Sequence, residues 1–482
     1  MINIDPIYMR VSLYHKFKRF LWFFLLTSFL SIGFYLYASF PSSTVIRIIF
    51  SLFLLCFFAI YSDSKLALLI FPLLVILPTS FIEIGPYPKY VHSMINFTTY
   101  TIPDHFPYLS TNVYYGAGTV MEFIFLFYLL ECSLKGRIKV PYKFLIILII
   151  LFAGFSILVA EATTISVLTF MNLLLLFSVF LVYANITQMQ ELKKTYDFIL
   201  VALILGLFPI IFSKDITSIL SGKIYERGAG GFIGSPNTAA MLTALAVPLT
   251  LGKLTQQKHI FGRFFFLLTL IGFLIILVKT GSRNGLLSTI VGAGIFTILS
   301  LKKIKKRNKA IILFSLGIST LILIFYMTHI PILKLRASKE FIFKDPSVQI
   351  RLKVWKEIFA SFVKDPFYIV GIGNFQYSDF NIGVQHAHNF FLHNLIEMGL
   401  AVALSFLLLF LLIICNLFSA LRKVEPRTYE YQLGVALLAS LSAAFFSFMI
   451  DMRYYTLFGI EFYFILLGIS FAYFNLTLSS KE

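Results

Sequence analysis

Three of the chain's eight histidines, His386, His388 and His393, lie close together at the start of an apolar run. The chain is 59% hydrophobic and only 13% charged, so titratable side chains at such a place need either partners or a reaction. Imidazole titrates near neutral pH and can take a proton from a hydroxyl group. We interpret this histidine stretch as the centre of an active site. The alternative for His388 is a helix-end residue bonded to a backbone carbonyl, and the alternative for His386 and His393 is an orienting or packing role.

Arg227, Arg283 and Arg351 have surroundings that suggest anion binding. Arg227 precedes Gly-Ala-Gly-Gly, Arg283 lies in the short turn Thr-Gly-Ser-Arg-Asn-Gly, and Arg351 lies on a stretch of helical period. A guanidinium group forms paired hydrogen bonds with phosphate or carboxylate oxygens. Soluble anions, acidic lipids and pyrophosphate-linked lipids all fit this chemistry. The alternatives are solvated charges for Arg227 and Arg351, and snorkelling to the lipid headgroups for Arg283.

These residues are carried by a chain whose repeated apolar runs match the thickness of a bilayer. Runs of about 18 to 22 residues predict an all-α polytopic integral membrane protein with about 14 transmembrane helices (12–14). We treat residues 1–482 as a single membrane domain. The predicted spans lie near residues 20–40, 45–61, 66–84, 116–134, 144–160, 165–186, 197–213, 236–254, 264–281, 284–301, 310–329, 392–420, 432–450 and 455–477.

Basic residues give the predicted orientation. Lysines and arginines collect in every second loop, most densely from Lys302 to Lys309, and such loops are retained in the cytoplasm. Both termini are therefore predicted to be cytoplasmic and the histidine stretch to be outside. The longest outward segment, residues 330–391, is predicted to be a large extracytoplasmic loop. Its part from Ser347 to Val363 has the period of an amphipathic helix that lies along the surface.

Composition excludes several classes of protein. Most of the net charge of +18 follows the topological pattern, and no basic domain with interleaved aromatic residues is present, so a nucleic-acid partner is not expected. The first apolar run lacks a small-residue cleavage site and is predicted to remain as a span. The three cysteines, Cys56, Cys132 and Cys415, lack the spacing of a zinc site and give no support for a disulfide.

A series of short motifs over residues 225–402 resembles, in order and spacing, the O-antigen ligase and polymerase superfamily. The motifs are Arg227-Gly, Pro236-Asn237-Thr-Ala, Thr280-Gly-Ser-Arg283-Asn-Gly-Leu-Leu, Arg351 with Trp355, Asp365-Pro366, Gly371-Ile-Gly373-Asn374-Phe375, and His388-Asn389 with Gly399. Each motif alone is common, and their combination on one side of the membrane carries the resemblance. Val402 departs from the pattern, since the family usually has Gly, Thr or Tyr there.

The resemblance implies a membrane glycosyltransferase with a C-type (GT-C-like) fold in the bacterial cytoplasmic (inner) membrane. It would take a glycan from an undecaprenyl pyrophosphate carrier on the outer face, with no metal or other cofactor. His388 is implied as the catalytic general base, and Arg283 and Arg227 as catalytic residues that neutralise the leaving pyrophosphate. Six further residues are expected to bind substrate: Arg351, Asn237, Asn389, His386, Gly373 and Asn374. The Gly371-x-Gly373 pair does not open a βαβ unit, so no dinucleotide site is expected.

Acidic residues are few, and we assign them no catalytic role. Asp451 and Arg453, between the last two spans, are predicted to form an ion pair, with a substrate contact as the alternative. Asp365, Asp379 and Glu397 are the acids nearest to the histidine stretch.

The leading functional hypothesis is a polymerase that joins lipid-linked oligosaccharide repeats into a surface polysaccharide, such as an O-antigen, a capsule or a teichuronic-type polymer. The predicted number of spans and the long outward loop favour it. One alternative is a ligase that moves finished glycan onto lipid A core. Another is a transporter or flippase of an anionic lipid-linked glycan, for which charges within many spans would be expected. The expected partners are the undecaprenyl-pyrophosphate-linked glycan, membrane lipid, a chain-length regulator and a flippase.

Overall fold

The computed structural model describes residues 68–69, 71–72, 75, 80–84, 113–212, 236–301, 346–378, 386–426, 428–451 and 457–479. All of them belong to one compact unit, Ser62–Glu482. The predicted spans near residues 20–40, 45–61 and 310–329 lie outside the described residues, as does Arg227. The statements made about them, and the treatment of residues 1–482 as a single domain, stay predictions.

Helices dominate the described part of the chain. The strands β1 (Ser80–Ile84) and β2 (Val113–Gly116) form one short antiparallel pair. The helices, in chain order, are α1 (Ala117–Leu134), α2 (Lys143–Ser156), α3 (Thr163–Ala184), α4 (Met189–Leu207), α5 (Pro236–Gln256), α6 (Ile260–Thr280), α7 (Arg283–Leu301), α8 (Pro346–Lys364), α9 (Phe390–Met398), α10 (Leu400–Lys423), α11 (Tyr429–Ile450) and α12 (Leu457–Ser479). Short 3₁₀ segments cover Ile157–Val159, Phe208–Phe212 and Phe375–Tyr377.

Seven of the described helical segments are long and apolar enough to cross a bilayer. They are α3, α4 with the 3₁₀ segment that follows it, α5, α6, α10, α11 and α12. A shorter apolar helical segment, Lys143–Val159, contains α2. The prediction of a helical, polytopic membrane protein is therefore confirmed, whereas the number of about fourteen spans remains a prediction.

The predicted span near residues 392–420 is divided in the structure. α9 ends at Met398, α10 begins at Leu400, and Gly399 between them has a φ of 92°. Glycine adopts this backbone conformation without the steric penalty of a Cβ atom. Apolar residues continue on both sides of Gly399, which is why the sequence predicted one helix. The division leaves α9 as a separate short helix just before the membrane-crossing α10.

α5 is the most deeply buried of the spanning helices, since its apolar window is enclosed along its whole length. It packs against α6, α7 and α11. Small residues allow this close approach: a Cβ atom added to Gly285 of α7 would lie 2.3 Å from the Cβ atom of Ala240 on α5. Side-chain bonds from Asn237 and Asn284 to the end of α11 show that the N-termini of α5 and α7 lie at that same end.

α8 covers this end of the bundle and corresponds to the stretch with the predicted amphipathic period. Its buried residues Val354 and Ile358 belong to a small apolar core. The other buried members of that core come from the residues around the histidine stretch and from α9 and α10: Val370, Phe375, Ala387, Leu395, Ile396 and Ala403. The histidine stretch therefore has an apolar support on one side.

We predict that Gly285→Ala destabilises the bundle by about 1–3 kcal/mol, because the added methyl group overpacks the contact with Ala240. The temperature of thermal unfolding of the purified protein in detergent should fall. Gly294→Ala is the matched control, since it lies on the same helix and a Cβ atom there has no neighbour within 4 Å. Equal unfolding temperatures for the two variants would contradict the packing described here.

Candidate active site

The residues of the site are arranged around the Asp451 side chain, which is 3% exposed. Its Oδ1 atom lies 2.9 Å from Nδ1 of His388 and 3.7 Å from Nε2 of His386. Its Oδ2 atom accepts hydrogen bonds from the Asn237 amide at 3.0 Å and from the Arg351 guanidinium at 3.2 Å. Residues from α5, from α8 and from the histidine stretch thus converge on the residue that follows α11.

Asp451 is held at this place by the end of α11. Its backbone N–H donates to the Ser447 carbonyl at 2.9 Å, and its own backbone is extended, with φ −161° and ψ 128°. The helix therefore ends at Ile450, and Asp451 lies directly beyond the membrane-crossing segment. A carboxylate at this place is removed from water and needs hydrogen-bond donors or positive charges around it.

The surrounding groups keep Asp451 ionised. Burial raises the pKa of Asp451, but the two histidines and the positive charge of Arg351 outweigh it and hold the pKa well below its ordinary value. His386 Nε2, at 3.7 Å, is beyond hydrogen-bond length, so the 2.9 Å contact of His388 is the closer of the two histidine contacts. At neutral pH Asp451 is therefore a carboxylate that can only accept hydrogen bonds.

This state of Asp451 fixes the tautomer of neutral His388. Because the carboxylate has no proton to give, the 2.9 Å contact requires the proton of His388 to be on Nδ1. The Nε2 atom then carries a free lone pair. The His388 side chain is 22% exposed, in contrast to Asp451. His388 is thus arranged to accept a proton from a group that reaches the site from outside.

The backbone of His388 lies in the left-handed region, with a φ of 53°. For a residue with a side chain this conformation costs about 1–3 kcal/mol and persists only when neighbouring contacts enforce it. On one side, the indole N–H of Trp355 on α8 donates to the Ala387 carbonyl at 2.8 Å. On the other side, Asn389 begins α9. The contacts of both neighbours aim the imidazole of His388 at Asp451.

Asn389 joins the start of α9 to the end of α11. Its Oδ1 atom accepts hydrogen bonds from the backbone N–H groups of Phe391 and Leu392 at 2.9 and 3.0 Å, as a helix N-cap does. Its amide nitrogen donates to the Met449 carbonyl at 2.8 Å. Asparagine can do both at once because it carries an acceptor and two donors. The bond to Met449 fixes His388 relative to Asp451, which lies two residues further on.

A second buried carboxylate, that of Glu397 on α9, holds the glycine loop, residues 371–375. Glu397 is fully buried, and it accepts hydrogen bonds from the backbone N–H groups of Gly373 at 2.9 Å and Phe375 at 3.0 Å. Gly371 and Gly373 have φ values of 90° and 78°, which glycine tolerates. The turn therefore presents two N–H groups to one carboxylate and is locked against α9.

His393 belongs to the same group of buried contacts around Glu397. Its Nδ1 atom accepts a hydrogen bond from the Ala387 N–H, at 3.4 Å, and its Nε2 atom lies 3.3 Å from Oε1 of Glu397. Burial lowers the pKa of His393 well below its ordinary value, and a positive charge on His386 or His388, when either is protonated, lowers it further. His393 is therefore neutral at pH 7 and donates from Nε2. It links the histidine stretch to Glu397.

Asn374 is fully buried and fastens the other side of the glycine loop. Its Oδ1 atom accepts from the Ala162 N–H at 2.7 Å, and its amide donates to Ser166 Oγ at 2.6 Å and to the Ile372 carbonyl at 3.1 Å. The Ile372 N–H donates to Ser156 Oγ at 3.1 Å. The loop is thus bound to the junction of α2 and α3. In this geometry the polar groups of Asn374 and Gly373 bond within the protein, and the two residues support the site.

Arg283 begins α7 close to the Asp451 cluster. The amide of its neighbour Asn284 donates to Ser447 Oγ at 3.0 Å and approaches the Ser447 carbonyl at 3.4 Å. That carbonyl also accepts the backbone N–H of Asp451. Arg283 is therefore next in the chain to Asn284, whose amide contacts the same residue, Ser447, that accepts the backbone N–H of Asp451.

The structure brings His386, His388, Arg351 and Asn237 together around Asp451. Arg227 and Arg453 lie outside the described residues, so the predicted ion pair of Asp451 with Arg453 stays a prediction. Asp451 pairs with Arg351, which the sequence did not suggest. The sequence signal for Asp451 was slight: a single acid directly after an apolar run, in a chain with 22 acidic residues.

His386, His388 and Asp451 also offer possible ligand atoms for a cation, all within 4.8 Å of one another. The carboxylate is already satisfied by other means. Its Oδ2 atom has the Arg351 and Asn237 donors, and its Oδ1 atom has the His388 hydrogen bond. The described contacts therefore account for Asp451 as a hydrogen-bonded carboxylate.

We predict that Glu397→Gln destabilises the protein by about 1–3 kcal/mol, because the amide nitrogen would face one of the two backbone N–H donors that Glu397 now accepts. The temperature of thermal unfolding in detergent measures this effect. Glu131→Gln is the control, since Glu131 is exposed on α1 and pairs only with Lys135 among the described residues. An unfolding temperature equal to that of the control would contradict the role of Glu397.

Asp451 should make stability depend on pH in the acid range. Because its pKa is lower in the folded than in the unfolded state, its stabilising contribution is present above about pH 4 and is lost as the pH falls further. The difference in unfolding temperature between the native protein and Asp451→Asn should therefore shrink as the pH falls from 6 towards 3. A difference that stays constant over this range would contradict the lowered pKa.

Comparison with known families bears on part of this site. The O-antigen ligase family model matches residues 266–407 of the chain. No curated protein matches the chain. The matched segment contains Arg283, Arg351 and the whole histidine stretch, whereas Asn237 and Asp451 lie outside it. Over residues 266–407, this match confirms the resemblance to the O-antigen ligase and polymerase superfamily that the sequence motifs indicate.

Proposed function

We propose that the protein transfers a glycan from a polyprenyl pyrophosphate carrier to a sugar hydroxyl, and that it polymerises lipid-linked repeats into a surface polysaccharide. The hydrogen bond between His388 and Asp451 is the observation that carries this proposal. It leaves one imidazole nitrogen free to act as a base, beside a guanidinium group, directly beyond the end of a membrane-crossing helix.

In the proposed reaction, the acceptor hydroxyl attacks the anomeric carbon of the lipid-linked glycan. His388 Nε2 takes the hydroxyl proton as the new carbon–oxygen bond forms. The bond between the anomeric carbon and the pyrophosphate oxygen breaks, and its electrons leave with the lipid pyrophosphate. Asp451 stabilises the imidazolium that results, in the way that a buried aspartate supports the histidine of a hydrolase triad. A single displacement of this kind inverts the anomeric centre.

Arginines would stabilise the charge that grows on the leaving pyrophosphate. The Nε atom of Arg351 is buried and has no hydrogen bond among the described residues, so this side chain retains a donor beyond its bond to Asp451. Arg283 lies at the adjoining turn, and the sequence motif adds Arg227 to the same role. We assign the pyrophosphate to these three residues.

Asn237 and His386 contact or approach Asp451, and we propose that they orient it. Asn389, Gly373 and Asn374 would act by positioning the histidine stretch, since their polar groups bond within the protein. No metal or other cofactor enters the proposed reaction.

The polymerase assignment rests on the predicted number of spans and on the length of the outward segment 330–391. Ligation to lipid A core would use the same donor chemistry and differ in the acceptor. We place the site on the outer face of the inner membrane, with both termini in the cytoplasm, because of the distribution of basic residues. A flippase would deliver the donor to that face, and a chain-length regulator would end the polymer.

Purified protein with defined undecaprenyl-pyrophosphate-linked repeats, alone or with lipid A core, tests the proposal. A ladder of products that forms without core, and forms equally in the presence of EDTA, is the expected result. A single addition that requires core would identify a ligase. No turnover of any glycan would overturn the proposed transferase activity and favour transport.

His388→Ala and Asp451→Asn should lower the rate of polymer formation by about 10²- to 10⁴-fold, because the first removes the base and the second removes the group that orients it. Steady-state kinetics with saturating donor should show the loss in kcat. His259→Ala, a change to an exposed histidine at the start of α6, is the control. Retained polymer in the His388→Ala variant would exclude the general-base role.

A further inference from the structure

α8 carries apolar residues on two different sides, and among the described residues one side packs inside the protein while the other is exposed. Val354 and Ile358 are buried in the core beneath the histidine stretch. Leu352, Phe359 and Val363 are exposed, the last at 79%, and Phe367 just beyond the helix is 90% exposed. Successive residues of a helix are about 100° apart, so Leu352, Phe359 and Val363 form one strip, which we call the outer strip.

Exposed lysines border the outer strip. Lys353, Lys356 and Lys364 lie on the helix next to it and complete a face that is apolar on one side and positively charged on the other. Exposed apolar strips with lysines along the edge are typical of helices that lie in the headgroup region of a bilayer. Lysine can bury its carbon chain among lipid tails while its ammonium group stays at the phosphates.

The position of α8 relative to the spanning helix α11 agrees with contact to the headgroup region. Arg351 on α8 is paired with Asp451, which directly follows the membrane-crossing α11. Trp355, one helical turn later, is bonded to Ala387 in the histidine stretch. These two contacts hold α8 at the end of a span, where the hydrocarbon region of the bilayer meets the headgroups.

We propose that the outer strip and its lysines dock on a bilayer surface that contains acidic phospholipids, and that this docking holds Arg351 and Trp355 against the active site. The lysines favour phosphate-bearing lipids, and the sequence before α8 adds Lys334, Arg336, Lys339 and Lys344. Basic residues are disfavoured in segments on the outer side of a membrane, so an acidic partner gives these a physical reason. Turnover therefore increases with the acidic lipid content of the membrane.

Lipid contact can be tested without turnover. Phe359→Cys and Ala360→Cys, each in the full chain with Cys56, Cys132 and Cys415 replaced by Ser, would carry a polarity-sensitive fluorophore in nanodiscs. Brominated acyl chains should quench the probe at residue 359 strongly and the probe at residue 360 weakly, since the two face different sides of the same turn. Equal quenching, or quenching of neither probe, would overturn docking on a bilayer and point to a protein partner.

The charge preference is tested with nanodiscs of phosphatidylcholine alone or mixed with phosphatidylglycerol. Quenching at residue 359 should increase with phosphatidylglycerol in the otherwise native chain and lose this increase when Lys353, Lys356 and Lys364 are all changed to Gln. The control changes three exposed lysines elsewhere, Lys135, Lys258 and Lys423, to Gln. A response that is the same in all three proteins would overturn the acidic-lipid part.

The effect on turnover rests on the proposed function, and polymer formation in the same nanodiscs measures it. Turnover should increase with phosphatidylglycerol and lose that increase in the α8 lysine variant only. Polymer formation that is independent of phosphatidylglycerol would overturn the link between docking and the active site. Absence of any transferase activity, with quenching as expected, would remove the proposed function and support the docking surface.

Discussion

The buried carboxylate of Asp451 is the constraint on which the rest of the site depends. A carboxylate that is almost completely removed from water is stable only when charged or hydrogen-bonding groups surround it. Here those groups come from the start of α5, from the first half of α8 and from the histidine stretch. Each of these segments must be in place before Asp451 is satisfied. The geometry of the site and the packing of the bundle therefore depend on each other.

Glu397 is a second buried carboxylate that depends on the hydrogen-bond donors around it. Its carboxylate is fully buried and is satisfied by backbone N–H groups of the glycine loop and by neutral His393. Backbone donors cannot change rotamer, so this arrangement is stiffer than one made of side chains alone. It supports the left-handed backbone of His388. Glu397 thus stabilises the backbone that carries His388, and Asp451 orients the His388 imidazole.

The division at Gly399 connects the polar site to its apolar surroundings. Because α9 is separate from α10, it can carry buried polar residues such as His393 and Glu397 while α10 remains apolar enough to cross the membrane. The histidine stretch then lies at the end of the spanning helices. The carrier of the proposed reaction, which has a lipid tail and a pyrophosphate head, would need this combination of an apolar region and adjacent positive charge.

The sequence by itself determined the features that depend on local pattern. Apolar runs of membrane length predicted the helical, polytopic fold, the period from Ser347 to Val363 predicted the helix α8, and adjacent motif residues indicated the family and selected His388. The partners of Asp451 depended on tertiary structure, because His388, Arg351 and Asn237 lie 63, 100 and 214 residues away from it in the chain. Asn374 and Gly373 had the residue types of a binding loop, and only packing showed their polar groups bonded within the protein. Local sequence determines the period and the conformation of a segment. Which donor bonds to a buried acceptor depends on how helices that are distant in the chain pack together.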